Sequence, residues 1–378
     1  MMFCLKDGLV HDAVHEKPYE ANIFIEDGKI VRIGDVCPDS GTQCFDAAGL
    51  DVYPGFVDAH SHIGLMGVAG NLSGDLTKDD HERNTLFTPD NRASDCINIS
   101  DKAFDAAVRG GVTCVCTGPG SVNLVGGQSV AIKTKGTDFA SMVVKDPVAM
   151  KMALGENPKL RLSKLVYSRA TVAARDREFF TLAKKYYLES KESKFHAYSA
   201  AYEAMIPVFE KKIPMKVHAL RNDDIRFAIN LAKEFDFNLT LEHVKDCGLV
   251  EKEIIESGFP VCIGPYMSQP MKLEAVNGNL SDCASLIRKG CHVCVMTDAP
   301  IVSEEYLAVC AGMLLREGIS EFEALKTITI NAAEHLGIED RVGSIEVGKD
   351  ADLVIAKGNA LLNSVKPSAV FIDGERYI

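Results

Sequence analysis

The sequence predicts an α/β fold, a (β/α)8 TIM barrel carrying a small β-sandwich domain formed from both termini, and three observations carry that prediction. Eight short apolar runs of strand character lie along the middle of the chain, at about 56–62, 112–117, 129–134, 148–154, 214–219, 238–244, 259–264 and 291–298, and eight strands close such a barrel. Five runs end on a side chain able to bind a metal: Phe56-Val-Asp-Ala-His60-Ser-His62, Met152-Ala-Leu-Gly-Glu156, Met215-Lys-Val-His218, Leu239-Thr-Leu-Glu-His243 and Cys294-Val-Met-Thr-Asp298. The C-terminal ends of the strands are where barrel enzymes place their chemistry. Finally, both ends of the chain are strand-rich and flank this alternating middle, as expected if the termini meet in one small β domain.

Taken in order, residues 1–53 form the first part of the sandwich. Between 20 and 53 apolar and polar residues alternate, as in Ala21-Asn-Ile-Phe-Ile-Glu, with turns at Asp27-Gly28 and Gly41, which reads as short antiparallel strands. Residues 54–342 form the barrel. Its clearest unit runs from Pro214-Met-Lys-Val-His-Ala through a helix to Asn238-Leu-Thr-Leu-Glu-His243. That helix carries Asp223 and Asp224 at its start and Ile225, Ala228, Ile229 and Ala232 on one face. Strands alternating with helices call for a parallel sheet. Two long connections interrupt the pattern. Gly64–Ser100 is polar and turn-rich and reads as a rim or lid. Lys159–Lys212 is charged and helical, with Phe179, Leu182, Ala183 and Tyr186 at helix spacing, and reads as an insertion that caps the pocket, mediates assembly or is simply solvated. Residues 343–378 return to strands in Gly348-Lys-Asp-Ala-Asp-Leu-Val-Ile-Ala and Ala369-Val-Phe-Ile-Asp-Gly-Glu and complete the sandwich.

At 378 residues the chain accommodates a barrel of roughly 250 residues plus an appended module. A hydrophobic fraction of 47% with 25% charged residues describes a globular enzyme, not a disordered or fibrous chain. The formal charge of −12, with no Lys/Arg-rich block, excludes the usual footprint for nucleic acid or an anionic membrane. The N-terminus has no secretory signature, and no run of about 18 apolar residues occurs, so a cytoplasmic protein is expected. Cys114, Cys116, Cys262, Cys291 and Cys294 lie in apolar runs and read as buried thiols. Cys291-His-Val-Cys294 has the spacing of a zinc knuckle, but strand alternation sends its two sulfurs to opposite faces.

The donor pattern points to metal chemistry. Side chains two apart on a strand share a face, so Asp58, His60 and His62 should point one way and both imidazoles can serve one ion or adjacent ions. Neutral imidazoles and carboxylates suit Zn2+ and similar divalent ions, and one or two such ions are expected. Such an ion lowers the pKa of bound water toward about 7, giving hydroxide at neutral pH. Asp298 can take that water's proton and pass it to a leaving nitrogen. Around the same mouth, Arg221 is a candidate anchor for a substrate carboxylate, the Gly118-Pro-Gly-Ser and Gly126-Gly-Gln128 loop can present backbone N–H groups, Gln128 and Tyr266 are candidate substrate contacts, and His81 is a further rim candidate. Arg221 can equally pair with Asp223 or Asp224 as a rim charge.

Pro54-Gly-Phe-Val-Asp-Ala-His60-Ser-His62 resembles the first-strand motif of the amidohydrolase superfamily, and Gly343-Ser-Ile-Glu-Val-Gly-Lys-Asp-Ala-Asp352-Leu-Val-Ile resembles the segment where those enzymes leave the barrel. Gly126-Gly-Gln-Ser-Val-Ala-Ile-Lys and Met152-Ala-Leu-Gly-Glu-Asn-Pro-Lys159 are similar to an imidazolonepropionase-like or uncharacterised amidohydrolase branch. The resemblance implies that His60 and His62 bind one metal, that His218 and His243 serve a second position or the same ion, and that Asp298 is both ligand and general base. It also implies a fourth-strand ligand, either a carboxylated lysine or a glutamate. This chain offers Lys151 and Glu156, and Glu156 is preferred because its Glu156-Asn157-Pro158 turn sits level with the other ligands. Asp298 is followed by Ala299-Pro300, where the branch often carries a histidine, so substrate contacts do not carry over. The expected activity is metal-dependent hydrolysis of a carbon-nitrogen bond in a small amide, cyclic amide or N-acyl amino acid by metal-bound hydroxide. The alternatives are deamination of a small heterocycle and a catalytically silent relative that assembles as a homo-oligomer.

Overall fold

The barrel strands follow the predicted order. In the computed structural model, which describes residues 2–66, 78–192, 197–270 and 272–378, five strands precede the barrel: β1 (Phe3–Val10), β2 (Tyr19–Glu26), β3 (Lys29–Gly34), β4 (Gln43–Asp46) and β5 (Asp51–Pro54). The barrel follows as β6 (Phe56–Ser61), β7 (Val112–Thr117), β8 (Val125–Lys133), β9 (Val143–Ala153), β10 (Met215–Ala219), β11 (Leu239–His243), β12 (Val261–Ile263) and β13 (Val293–Val295). After it come β14 (Leu353–Ala356), β15 (Pro367–Ile372) and β16 (Glu375–Arg376).

The eight central strands pair in sequence order from β6 to β13 and form a nearly closed barrel. Its ends meet through backbone hydrogen bonds. Low in the barrel, Val57 N donates to Ile328 O (2.7 Å) and Val295 N to Thr327 O (3.0 Å); higher up, Asp298 N donates to His60 O (3.2 Å) and His62 N to Ala299 O (2.8 Å). One strand departs from the all-parallel expectation, because β8 runs antiparallel to both β7 and β9. The connections 118–124 and 134–142 are too short for the crossover of a dozen or more residues that parallel strands need, so hairpins form instead. The Gly126-Gly-Gln128 stretch expected in a loop consequently lies inside β8.

Alternation divides the side chains. Val57, Ala59, Cys114, Cys116, Ala149, Cys262, Cys294 and Met296 share one apolar cluster with Ala332, Ala333 and Leu336 of the helix Ile330–Leu336. The opposite faces of the strands, including Val115, Met150, Met152, Val217, Leu241, Val261 and Val293, pack in the larger cluster with the helices. Cys291 packs against the second cluster and Cys294 lies in the first, so the two sulfurs of the CxxC are on opposite faces as expected. Ile225, Ala228, Ile229 and Ala232 are all buried on the helix Asn222–Phe235. In the insertion, the helix Arg169–Lys191 buries Phe179, Phe180 and Ala183 in the larger cluster and Tyr186 against Tyr202, whereas Leu182 faces outward. Among the described residues no helix is long and apolar enough to cross a membrane.

The terminal strands form one hydrogen-bonded sheet in the order β16-β15-β14-β5-β1-β2-β3, with β4 also paired to β1. Leu5, Ile23, Ile25, Ile30, Val52, Leu353, Ile355 and Phe371 fill its core. The chain passes from β5 into β6 through Gly55, where a Cβ would lie 2.2 Å from Thr113 Oγ1, so only glycine lets the sheet and barrel approach this closely. Beside this junction Lys133, on the barrel, reaches Asp352 (2.7 Å), Asp350 (3.0 Å) and Asp373 (3.1 Å) on the C-terminal segment. Lys133, Asp350 and Asp352 are almost fully buried; without the ammonium Asp352 loses its cationic partner in a dry site, while Asp350 keeps Lys29 and Arg341. Lys133→Met is therefore expected to destabilise the protein by about 3–5 kcal/mol in urea unfolding. A loss below about 1 kcal/mol would show that the carboxylates do not depend on it.

Candidate metal centre

The first strand delivers two histidines and diverts the aspartate. Asp58 pairs with Val115 and Ser61 with Thr117, so β6 carries an extra residue between them, a bulge that shifts the alternation. Asp58, expected on the face of His60 and His62, instead accepts hydrogen bonds from Thr297 N (2.9 Å), Thr297 Oγ1 (2.6 Å) and His60 N (2.9 Å). It ties the first strand to the last and holds the segment that carries Asp298. His60 and His62 both reach that aspartate, with Nε2 atoms 3.6 Å and 3.3 Å from Asp298 Oδ1.

Two further donors arrive through broken regularity. Strand alternation turns Lys216 and His218 of β10, and Thr240 and Glu242 of β11, toward the barrel axis, which would turn His243 away. His243 leaves the strand in a left-handed conformation (φ 74°), and so does Asp298 (φ 54°). For residues other than glycine this strains the backbone by about 1–2 kcal/mol each, and here it brings both side chains to one point. His243 stacks edge-on against His218 (centroids 4.3 Å) and His60 (5.2 Å). Donor atoms of His60, His243 and Asp298 all lie within 4.8 Å of one another.

At the fourth barrel strand the structure places Lys151, not Glu156, among these residues. Lys151 is 1% exposed and its Nζ lies 3.1 Å from His60 Nε2. The preferred candidate Glu156 sits beyond the strand, past Gly155 (φ 82°), as the first residue of the helix Glu156–Arg161. There it exchanges hydrogen bonds with Glu274: Glu156 N donates to Glu274 Oε2 (2.7 Å), and Glu274 N donates to Glu156 Oε1 (3.2 Å). The turn after the strand uses the residues that would have carried Glu156 inward, whereas Lys151 needs only the regular alternation of β9.

The ring orientations test whether a cation fits. His62 Nδ1 is 2.8 Å from Gly118 O and His243 Nδ1 is 3.0 Å from Gly264 O; a carbonyl can only accept, so both Nδ1 atoms carry hydrogen. His60 Nδ1 is likewise committed to Glu242 Oε2 (2.8 Å). Their Nε2 lone pairs then point into the site. His243 Nε2 and His218 Nδ1 are buried and lack any hydrogen-bond partner, a costly state that a metal relieves. Burial holds His60 and His218 well below the usual imidazole pKa and brings His243 to about 3, so these rings stay neutral. Burial opposes the charge on Asp298, but the surrounding imidazoles, His243 first, hold its carboxyl below the ordinary range. Neutral imidazoles converging on a carboxylate form a donor set that fits Zn2+ or a similar ion. Burial also lowers Lys151 to about 8, so a fraction of this amine is uncharged near neutral pH.

Beneath the site lies a network that strand reading did not single out. Glu242 accepts from Lys216 Nζ (2.8 Å) and Thr240 Oγ1 (2.7 Å) and pairs with His335 Nε2 (3.0 Å) while orienting His60. Glu242 was legible, since it shares a face with Thr240 on an apolar strand. His335 comes from a distant helix and left no local signal.

Above the candidate ligands opens a cavity of about 630 Å3 whose walls include His62, His218, His243 and Asp298. Tyr266 lines it as expected, with its hydroxyl 2.8 Å from Cys283 Sγ. His81 also lines it, paired with Asp80 at 3.0 Å, and Asn157 Nδ2 approaches His218 Nε2 at 3.4 Å. The rim expected over Gly64–Ser100 contributes Lys78, Asp80 and His81, while residues 67–77 lie outside the described part. Two predicted contacts are not at this cavity. Arg221 is half-exposed and bound bidentately by Asp223 (2.7 and 2.5 Å), and Gln128 lies within β8, donating through Nε2 to Pro89 O (3.3 Å).

Comparisons with known proteins agree with this architecture. The model of the amidohydrolase family matches residues 52–377. A crystal structure of an amidohydrolase from Thermotoga maritima MSB8 superposes with a TM-score of 0.93 at 36% identity, covering 100% of this chain and 99% of that one. The amidohydrolase tasK of Hapsidospora irregularis is 24% identical over 93% of this chain, which spans only 39% of the length of tasK. An imidazolonepropionase of Thermoplasma acidophilum is 23% identical over 90% of this chain and 83% of its own length.

Proposed function

This chain belongs to the amidohydrolase family, and from that premise we propose that it is a metal-dependent hydrolase of carbon-nitrogen bonds acting on a small amide, cyclic amide or N-acyl amino acid. One observation carries the reading. The Nε2 atoms of His60 and His62, with each Nδ1 already committed elsewhere, both face Asp298 Oδ1, and Lys151 Nζ meets His60 Nε2 from the fourth strand, a convergence of donors that a shared cation would join. His60, His62, His218, His243 and Asp298 would hold one or two divalent ions, with Zn2+ best matched to the donors. Lys151, once carboxylated on Nζ, would supply the fourth-strand ligand. A bound ion would acidify water and polarise the scissile carbonyl.

The residues of the chain do the rest. Asp298, ionised and held in place by its neighbours, accepts the proton of the attacking water and returns it to the leaving nitrogen. Water oxygen bonds to the carbonyl carbon, the C–N bond breaks, and the products are a carboxylic acid and an amine. Glu242 fixes the tautomer and orientation of His60. The cavity walls exclude bulk water from the reacting carbonyl. Protein loaded with Zn, Mn or Co should release amine, or open a ring, in a library of small amides, cyclic amides and N-acyl amino acids. Ammonia released from a heterocycle would make the enzyme a deaminase instead, and metal-loaded protein inert toward both libraries would indicate a silent assembly-forming relative.

A further inference from the structure

The described lining of the cavity above the metal ligands carries more cationic than acidic side chains, in a chain of formal charge −12. Lys78, Arg161, Lys245 and Lys272 all line it, from four separate segments, and Asp80 and Asp298 are the acidic residues of the described lining. Asp80 is engaged by His81, and Asp298 belongs to the ligand group. Lys245 is 7% exposed and has no carboxylate partner among the described residues. Its Nζ donates to Pro265 O (2.6 Å) and lies 3.5 Å from the centre of the Tyr266 ring, which leaves ammonium hydrogens available to a ligand. Lys272 is largely buried, with Glu274 Oε1 at 4.0 Å, the limit of an ion pair.

The segment bearing Lys272 is held in place. Glu274 receives Glu156 N (2.7 Å) and Arg169 Nη2 (3.0 Å), which staples it to the helix that carries Arg161. Desolvating ammonium groups without matched carboxylates is costly, and binding an anion repays that cost. Leu220, Val122, Ile301 and Met66 give the same cavity apolar surface.

We propose that Lys245 and Lys272, supported by Arg161, form an oxyanion subsite that binds a negatively charged group on the non-scissile part of the substrate, so that the enzyme acts on anionic amides carrying an apolar portion. The inference rests on the hydrolase reading for its substrate but not for its binding site. An ammonium is a compact point charge and accepts a carboxylate or a phosphate oxygen alike, so carboxylate and phosphate sources are separated by experiment.

The test uses metal-loaded protein, wild type and the variants Lys272→Met, Lys272→Arg and Lys245→Met. Its substrates are N-acetyl-L-leucine, the neutral N-acetyl-L-leucinamide and N-acetylethanolamine phosphate. One of the two anions should be preferred over the neutral amide, and whichever is preferred identifies the source. For that anion, Lys272→Met should raise KM by about tenfold or more with a smaller change in kcat, and Lys272→Arg should recover part of the loss. Equal use of the neutral amide, or equal losses on all three substrates, would overturn the subsite. If nothing is hydrolysed, calorimetry with 4-methylpentanoate, 4-methylpentanamide and inorganic phosphate decides independently. An anion that binds wild type and binds about tenfold or more weaker to Lys272→Met and Lys245→Met supports the subsite while the hydrolase reading fails. Absence of binding by either anion overturns it.

Discussion

Asp298→Asn is expected to lower kcat by on the order of 100-fold or more while KM changes little. The substitution keeps the size and shape of the side chain but removes its capacity to accept a proton. Asp298 is suited to the role by position and by charge. Its backbone is locked by the left-handed conformation and by Asp58, which grips Thr297 from the opposite end of the barrel closure. Its carboxyl remains ionised through the working pH range. Because Asp298 is also a candidate ligand, metal content must be measured alongside turnover. A variant that keeps its metal and turns over at nearly the wild-type rate would remove Asp298 from the chemistry.

The second large effect concerns the fourth barrel strand. Lys151→Ala is expected to strip at least one ion and abolish most turnover, whereas Glu156→Ala should retain its metal. Lys151 is buried beside His60, and its amine, once uncharged, can react with CO2 to give a carbamate with the two oxygens a bridging ligand needs. Metal loading of the wild type should accordingly improve with bicarbonate, and the Nζ carbamate should appear as added density in a crystal structure of the loaded protein. Glu156 can contribute little, since its carboxylate accepts from Glu274 N on the rim. Loss of metal in Glu156→Ala with full loading of Lys151→Ala would restore the glutamate assignment.

These two residues also show what a single sequence could and could not reveal. His60, His62, His218 and Asp298 were legible because each ends an apolar run, and a barrel gathers strand ends. Lys151 was visible as a candidate, but the end of its strand was judged from the Glu-Asn-Pro turn, and Gly155 bends the chain before Glu156 can point inward. Period-two alternation failed at Asp58, where a bulge intervenes, and at His243, where a positive φ does. Neither irregularity has a local signature in these residue types. The antiparallel β8 was within reach, since the brevity of the segments on either side of it rules out crossovers. Arg221 was read both as a carboxylate anchor and as a rim charge pairing with Asp223 or Asp224, and its bidentate pairing with Asp223 matches the second reading. The cationic wall went unseen because its four members come from segments far apart in the chain.

The claim on which the rest depends is that these residues hold metal. Elemental analysis of the purified protein, set beside the same analysis of the double variant His60→Ala with His62→Ala, tests it most directly. The geometry predicts about one to two divalent ions per wild-type chain, zinc foremost, and a clear reduction in the variant. Wild-type protein that contains no metal, takes up none from Zn, Mn or Co, and gains no hydrolysis on their addition would contradict it.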